Sequence, residues 1–439
     1  MSDDVLDTIH AIASGALPAG VTVLRISGPA VPELIERWIG RKLPDRRSTL
    51  VRLRDARGER LDDALAIHFG APRSFTGEDV LELHLHGGRA VVAAVQRHLG
   101  TLPGLRLAEP GEFTLRAFRN GRIDLVEAER LADLIDAETE AQRAFAASDR
   151  GRRNVTLYRT WADALLEARA AMEASIDFSD EDDAPTDMTD EVGTTVASIA
   201  GTIRHHLARA DDGEIVRNGL RVVLAGPPNA GKSSLLNALA DRDIAIVTPI
   251  PGTTRDTIEV SLDCGGYKVV LTDTAGLRST DDPIERAGIE RTHSAVQRAG
   301  LVLWLDPVDE DRTDMPSGLD DIPMIRIGTK SDLSRTEDEF ESLTVSAKTG
   351  AGLTALTERL ARHAAEGTTT DCDVPVASRH VDHLRRCLSV LDAIDATTCP
   401  PELTAQMLAD AAGELGRITG ATDIEDVYGA IFSRFCMGK

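Results

Sequence analysis

Nine residues near the middle of the chain, Gly226 to Ser234, read GPPNAGKSS. A β-branched run, Arg221 to Ala225, leads into them, and LLNALA follows with helical spacing. A strand, a G-x-x-x-x-G-K-S loop and a helix in that order form a phosphate-binding loop. The main-chain N–H groups around Asn229, Ala230 and Gly231, together with the helix N-terminus, converge on an anion. Lys232 reaches β- and γ-phosphate oxygens, the Ser233 hydroxyl suits Mg2+, and Ser234 continues the cradle.

Four further motifs follow in the order that guanine-nucleotide chemistry needs. IVTPIPGTTRD offers hydroxyls and carbonyls for a switch loop at Thr248, Pro249, Ile250, Pro251, Gly252, Thr253 and Thr254, with Thr254 as the Mg2+ and γ-phosphate sensor. VVLTDTAG is a strand ending at Asp273, which holds Mg2+ through water, followed by Thr274, Ala275 and the γ-phosphate-sensing N–H of Gly276. IRIGTKSD runs a buried strand into Thr329, Lys330, Ser331 and Asp332. A carboxylate at Asp332 accepts from guanine N1–H and N2, whereas adenine would leave it facing an acceptor. VSAKTG then supplies Ser346, Ala347 and Lys348 to pack the base.

Two departures bear on catalysis and affinity. Thr329 stands where an asparagine is usual before the lysine, so the base loop relies on a hydroxyl. Leu277 follows Gly276 where Ras-like enzymes carry the water-positioning glutamine. Asn229, inside the phosphate loop, can hold a monovalent cation that neutralises charge as an arginine finger does. A carboxylate just downstream, Glu285 in DDPIERAGIER, is available for the water, although its residue type alone reads equally as a solvated helix charge.

The elements that must position these groups fall into three stretches. Residues 1–118 alternate strand-like and helix-like runs (VTVLRIS, VPELIERWIG, ALAIHFG, DVLELHLHGG, AVVAAVQRHLG), which is an α+β domain. Period two in DVLELHLHGG puts Leu81, Leu83 and Leu85 on one face and Glu82, His84 and His86 on the other; with no fourth ligand in view, a polar strand face is the plainer reading than a metal site. Residues 119–216 turn helical, with Leu131, Leu134 and Ile135, then Leu165, Met172, Ile176, Ile199, Ile203 and Leu207 recurring near helical period. Residues 217–365 hold the nucleotide motifs in a Ras-like P-loop domain, and 366–439 return to helices, split at Pro400-Pro401, with Leu384, Leu391, Leu403, Met407, Leu415 and Ile418 as their apolar face. The economical arrangement is one discontinuous helical domain with the GTPase inserted into it. The acidic DFSDEDD lacks the calcium-loop glycine and reads as a solvated loop.

Charge and composition set limits. The net charge is −23, from 49 Lys+Arg against 72 Asp+Glu, so any grip on nucleic acid must come from local patches or a partner. Only six residues are lysine (42, 232, 268, 330, 348 and 439); three lie in nucleotide motifs and one is the last residue. The five cysteines show no CxxC pair, no apolar run approaches a membrane span, and no signal segment opens the chain, which points to the cytoplasm. The end, FSRFCMGK, is an apolar anchor (Phe432, Phe435, Met437) carrying a thiol, Cys436, and an ammonium, Lys439, in a pattern that does not fit lipidation.

Beyond the GTPase motifs, the stretches DTIHAIAS, SFTGEDVLELHLHGG, EPGEFTLRAFRNGRIDLVEAE, ASIDFSDED and the final FCMGK resemble the MnmE (TrmE) family of tRNA-modification GTPases along nearly the whole chain. The resemblance implies a homodimer with a folate-binding N-terminal domain, a helical domain and K+-dependent GTPase domains. It implies a flavin-dependent partner, MnmG (GidA), bearing FAD and using NADH, in a heterotetramer. Together they would install a (carboxymethyl)aminomethyl group at C5 of the wobble uridine of tRNA from 5,10-methylene-tetrahydrofolate. By position, Asn229, Thr248, Ile250 and Thr253 match the K+ site, Ser233 and Thr254 the Mg2+ ligands, and Glu285 the water-orienting residue. The folate positions correspond to Arg25, Glu82, Arg122 and Lys439, with Arg122 replacing a lysine and Glu109 an arginine. Cys436 is then a nucleophile, a redox thiol or a packing residue. An Era- or Der-type ribosome-assembly GTPase shares the nucleotide motifs but has no use for the N-terminal domain or the CMGK end, and a non-catalytic switch would bind GTP without K+-stimulated turnover.

Overall fold

The computed structural model describes residues 7–177, 189–242, 244–246, 259–273, 299–309, 323–333, 343–366, 374–375, 377–395, 398–421, 431–432, 435 and 438. The chain divides into two compact units, Met1–Ala132 with Gly416–Lys439, and Asp133–Leu415.

In the first unit the strand alternation read from the sequence sets the sheet. β1 (Thr8–Ile12), β2 (Ala19–Ser27), β3 (Thr49–Arg54), β4 (Arg60–Phe69), β5 (Val80–Gly87) and β6 (Leu105–Leu107) assemble in the order β3-β4-β5-β2-β1-β6. Only the β1–β6 pair is parallel. Leu81, Leu83 and Leu85 on β5 are fully buried while Glu82 and His84 stay partly open, as period two requires. Leu24 and Ile26 of β2 share that core with Val92, Val95 and Leu99 of α2 (Arg89–Leu99). α1 (Val31–Leu34) continues as a π-helical turn, Ile35–Ile39, ended by Gly40. β1, β3 and β6 are the strands that apolar pattern alone did not single out.

α3 (Glu112–Arg119) and α4 (Leu125–Ile135) follow, and Leu125, Ala128 and Ala132 of α4 form a small core with Ile431, Phe432 and Phe435. Burying each such phenylalanine contributes about 2–3 kcal/mol, enough to hold the end of the chain in this unit. Leu134 and Ile135, expected on the buried face, are 41% and 37% exposed. They close α4 at its C-terminal end.

The second unit contains α5 (Glu140–Ala147), α6 (Arg150–Asp177), α7 (Thr189–Leu207) and α8 (Ala210–Asn218). β7 (Leu220–Ala225), α9 (Lys232–Ala240), β8 (Glu259–Cys264), β9 (Tyr267–Asp273), β10 (Leu301–Pro307), β11 (Met324–Thr329) and α10 (Leu353–Glu366) come next. The strand order is β11-β10-β7-β9-β8, parallel except for β8. Every residue of β10 is buried, as a central parallel strand covered on both faces should be. After this sheet the chain returns to helix in α11 (Ser378–Asp392) and, beyond Pro400, α12 (Pro401–Thr419).

α11 packs on α7, which precedes the sheet in sequence, so the helical domain is discontinuous and the GTPase domain is inserted in it. Asn154 Nδ2 of α6 also donates to the carbonyl of Val374 at 2.7 Å, and Tyr158 Oη lies 2.9 Å from His206 Nε2. Leu165, Met172, Ile199, Ile203, Leu384, Leu391, Leu415 and Ile418 are buried as their spacing predicted. Leu403 is not: it is 51% exposed in the first turn of α12, and Leu408 and Ala405 take the inner face instead. The β8–β9 turn meets α5 through Ala141 N–H to Gly266 O (2.9 Å), and Lys268 pairs with Glu138 at 2.6 Å.

Candidate nucleotide site and N-terminal ion pair

β7 delivers the chain to Gly226, whose φ of +145° is open to glycine. A Cβ there would sit 2.4 Å from the carbonyl oxygen of Leu305, so the neighbouring strand β10 also demands its absence. Asn229 holds a left-handed φ of +62°, and Gly231 at +90° starts α9. Leu235, Leu236 and Leu239 bury the helix against the sheet, fixing its N-terminus over the loop. Lys232 lies across that loop, its Nζ donating to Gly226 O at 2.9 Å and Pro227 O at 2.8 Å.

Parallel pairing of Leu224 with Asp273 brings the end of β9 beside the phosphate loop. There the Ser233 hydroxyl donates to Asp273 Oδ2 at 2.6 Å, with Asp273 buried. Two hard oxygen donors on rigid elements fit a divalent cation of the Mg2+ type.

The base loop is built from β11 and the segment before α10. The Thr329 hydroxyl donates to Ala230 O at 2.7 Å, tying this loop to the phosphate loop. Lys330 takes a left-handed φ of +59°, and its Nζ lies 3.2 Å from Asp309 Oδ1. Ser346 Oγ donates to Asp332 Oδ1 at 2.6 Å, and that hydrogen bond holds the Asp332 carboxyl below the usual carboxylate range. A cavity of about 310 Å3 opens here, lined by Asn229, Ser234, Thr329, Lys330, Asp332, Ala347 and Lys348 among others. The structure thus brings together Asn229, Ala230, Gly231, Lys232, Ser233, Ser234, Asp273, Thr329, Lys330, Ser331, Asp332, Ser346, Ala347 and Lys348. Thr248, Pro249, Ile250, Pro251, Gly252, Thr253, Thr254, Thr274, Ala275, Gly276 and Glu285 lie outside the described residues.

A second polar constellation lies in the N-terminal unit. Register pairs Arg25 of β2 with Glu82 of β5, and the side chains meet at 2.9 Å. The Arg25 guanidinium also lies over two rings, Phe75 at 5.5 Å and Phe113 at 5.7 Å. These two phenylalanines went unremarked in the sequence although they sit in SFTGED and PGEFTLR; their only signal was an aromatic beside each turn glycine. The Arg122 stem packs on Gly77, in the same loop as Phe75. Gly438, at φ +101°, lies against β1, where a Cβ would come 1.9 Å from Ile12 O. β1 neighbours β2, pairing Ala11 with Arg25. Cys436 and Lys439 lie outside the described residues. His86, by contrast, turns to Asp62, its Nδ1 at 2.7 Å from Oδ1.

A parallel sheet whose phosphate loop and base loop share one hydroxyl, with a Ser–Asp oxygen pair at the mouth, defines a P-loop GTPase, an enzyme that hydrolyses GTP. Comparison with known proteins narrows this. Residues 125–436 match the family model described as the MnmE helical domain, and residues 8–122 that of the GTP-binding protein TrmE N-terminus. The tRNA modification GTPase MnmE of Rhizobium johnstonii is 46% identical over 437 residues, covering 99% of both chains. Its namesake in Mesorhizobium japonicum is 47% identical over 444 residues, again covering 99% of each. The chain belongs to the MnmE family of tRNA modification GTPases.

Proposed function

We propose that this GTPase acts with a flavin-dependent partner of the MnmG type to install a (carboxymethyl)aminomethyl group at C5 of the wobble uridine of tRNA. The one-carbon unit comes from 5,10-methylene-tetrahydrofolate, and FAD and NADH belong to the partner. Two copies of the chain form a dimer, and two partners complete a heterotetramer in the cytoplasm. Among the described residues no helix is long and apolar enough to cross a membrane. The domain limits are those of the sequence reading: 1–118 folate-binding, 119–216 and 366–439 helical, and 217–365 GTPase.

In the GTPase, Lys232 and the loop N–H groups bind the phosphates, and Asp332 reads guanine. Ser233 and Thr254 would hold Mg2+, and Asn229, Thr248, Ile250 and Thr253 would hold K+; bound there, the cations would supply positive charge to the phosphates. Glu285 orients the water. The hard-oxygen pair Ser233–Asp273 supports the Mg2+ assignment, and Asn229, held in a left-handed turn, carries its amide on the loop.

The observation that carries the folate reading is the Arg25–Glu82 pair on two adjacent strands, in the unit where Gly438 lies against Ile12 of β1. A carboxylate held by one arginine suits the N–H donors of a pterin ring, and Arg122 and Lys439 suit the carboxylates of the folate's glutamate tail. In this reading the Cys436 thiol serves as a nucleophile, a redox group or a packing residue. Most of the tRNA surface comes from the partner, since this chain is strongly acidic overall. Nucleoside analysis of wobble uridines from cells lacking this chain tests the reading: loss of the modified base supports it, and its persistence refutes it.

A further inference from the structure

We propose that residues 41–54, RKLPDRRSTLVRLR, form a phosphate-binding edge of the N-terminal sheet that touches the RNA backbone directly. The proposal rests on tRNA being the substrate and adds a binding surface to that reading. In a chain with 72 carboxylates and 49 cations, this stretch holds six cations (Arg41, Lys42, Arg46, Arg47, Arg52, Arg54) and one carboxylate, Asp45. All six cations are exposed. That they are mostly arginine follows the composition of the whole chain; their concentration at one place does not.

The fold spreads them along a line. β3 is an edge strand, paired only with β4. Val51 and Leu53 are buried in the core, so alternation turns Leu50, Arg52 and Arg54 outward, with Arg52 and Arg54 about 7 Å apart. The loop before β3 adds Arg46 and Arg47, and the segment after the π-helical turn adds Arg41 and Lys42.

Most of this charge is oriented without being cancelled. Arg41, Arg46 and Arg54 donate to the main-chain carbonyls of Leu50, Arg73 and Gly58. A carbonyl fixes a guanidinium while leaving its full charge. Asp45 is occupied by the Gly70 N–H at 2.9 Å and by Arg73 at 3.3 Å. Asp45 also faces Arg46, and two further carboxylates among the described residues oppose the patch: Glu36, 3.9 Å from Lys42, and Asp63, 3.1 Å from Arg52 and shared with Arg60. Such solvent-screened surface pairs are weak, so Arg52 exchanges Asp63 for a phosphate at little cost. Leu50, the one large apolar side chain exposed in the stretch, pairs with Leu65 of β4, also exposed; two leucines are too little to core a protein interface, whereas a line of guanidinium forks suits phosphates.

The test uses the full-length chain, alone and with its flavoprotein partner, titrated into a fluorescent tRNA transcript between 50 and 200 mM KCl. The variant carries Arg41→Gln, Arg46→Gln, Arg47→Gln and Arg54→Gln. Each phosphate neutralised by a cation contributes about 0.7–0.9 to the slope of log K against log[KCl]. The expected slope in the variant is therefore shallower by about 3–4, with affinity at 50 mM down by about tenfold or more. The corresponding Arg→Lys variant retains both, and K+-stimulated GTP turnover is the same in all three proteins. Unchanged tRNA affinity and slope overturn the proposal. So does intact tRNA binding with lost partner binding, which would make the patch a protein-docking surface. Failure of the modification reading shows separately, as a normal wobble base in cells lacking the chain.

Discussion

The hydroxyl of Thr329 donates to the main-chain carbonyl of Ala230 at 2.7 Å, so the loop that meets the base and the loop that meets the phosphates move as one piece. The bond is buried and spans the sheet from β11 to the turn after β7. A threonine at this position therefore supplies the local tie between the two loops through a shorter side chain.

Removing that donor leaves the Ala230 carbonyl buried without it, a penalty of about 1–3 kcal/mol. Thr329→Val is expected to raise the Kd for GDP by about tenfold or more in a fluorescent-nucleotide titration. Thr329→Asn keeps a donor and is expected to bind GDP as tightly or more tightly. A large loss in the asparagine variant would show that the base loop has been misplaced.

Hydrolysis is expected to depend on K+. Steady-state turnover should rise steeply when KCl replaces NaCl, and Asn229→Ala should erase the difference. Glu285→Ala should abolish turnover while nucleotide binding persists. Ser233→Ala, which removes the hydroxyl 2.6 Å from Asp273, should cost about 100-fold or more in Mg2+-dependent rate. Equal rates in K+ and Na+ would contradict the cation assignment.

Guanine affinity has a pH signature. The Ser346 hydroxyl, ahead of the nearby Lys348 charge, holds the Asp332 carboxyl below its ordinary value. A lowered carboxylate pKa means that the ionised, base-accepting form is fully present above the usual carboxylate range and is lost only as pH falls through the lowered value. GDP affinity is expected to be flat from about pH 8 down to the ordinary carboxylate range near about 4, and to fall only below it. Ser346→Ala should move the fall to higher pH, read by titrations at a series of pH values; an unmoved profile would remove Ser346 from this role.

The C-terminal end can be displaced by one atom. Gly438→Ala places a Cβ 1.9 Å from Ile12 O at a φ of +101°, so the end must leave β1. Wobble-uridine modification should fall severely while GTP turnover is retained, and deletion of Cys436 to Lys439 should reproduce the result. Normal modification in either variant would separate the CMGK end from the chemistry.

Much of the nucleotide site was legible because it is local. GPPNAGKSS, the strand before it and the helix after it are contiguous, and a phosphate loop needs only that order. Strands with clean alternation, such as β5, were legible for the same reason, since burial of Leu81, Leu83 and Leu85 follows from period two. β3 was less visible: its outward arginines dilute the apolar pattern, yet two buried residues, Val51 and Leu53, suffice to pair it. Leu134, Ile135 and Leu403 show the opposite failure, where helical spacing was right but the side chain lies at a helix end and stays exposed.

By itself the sequence determined the chemistry-bearing residue types, their order and the return to helix after the GTPase motifs, because each depends on short-range spacing and composition. Only the tertiary structure decided which distant groups meet: Thr329 with Ala230, Ser233 with Asp273, Arg25 with Glu82 above two phenylalanine rings, and Gly438 with Ile12. Those pairings are set by strand register and by close packing across the sheet. Neither leaves a periodic trace along the chain.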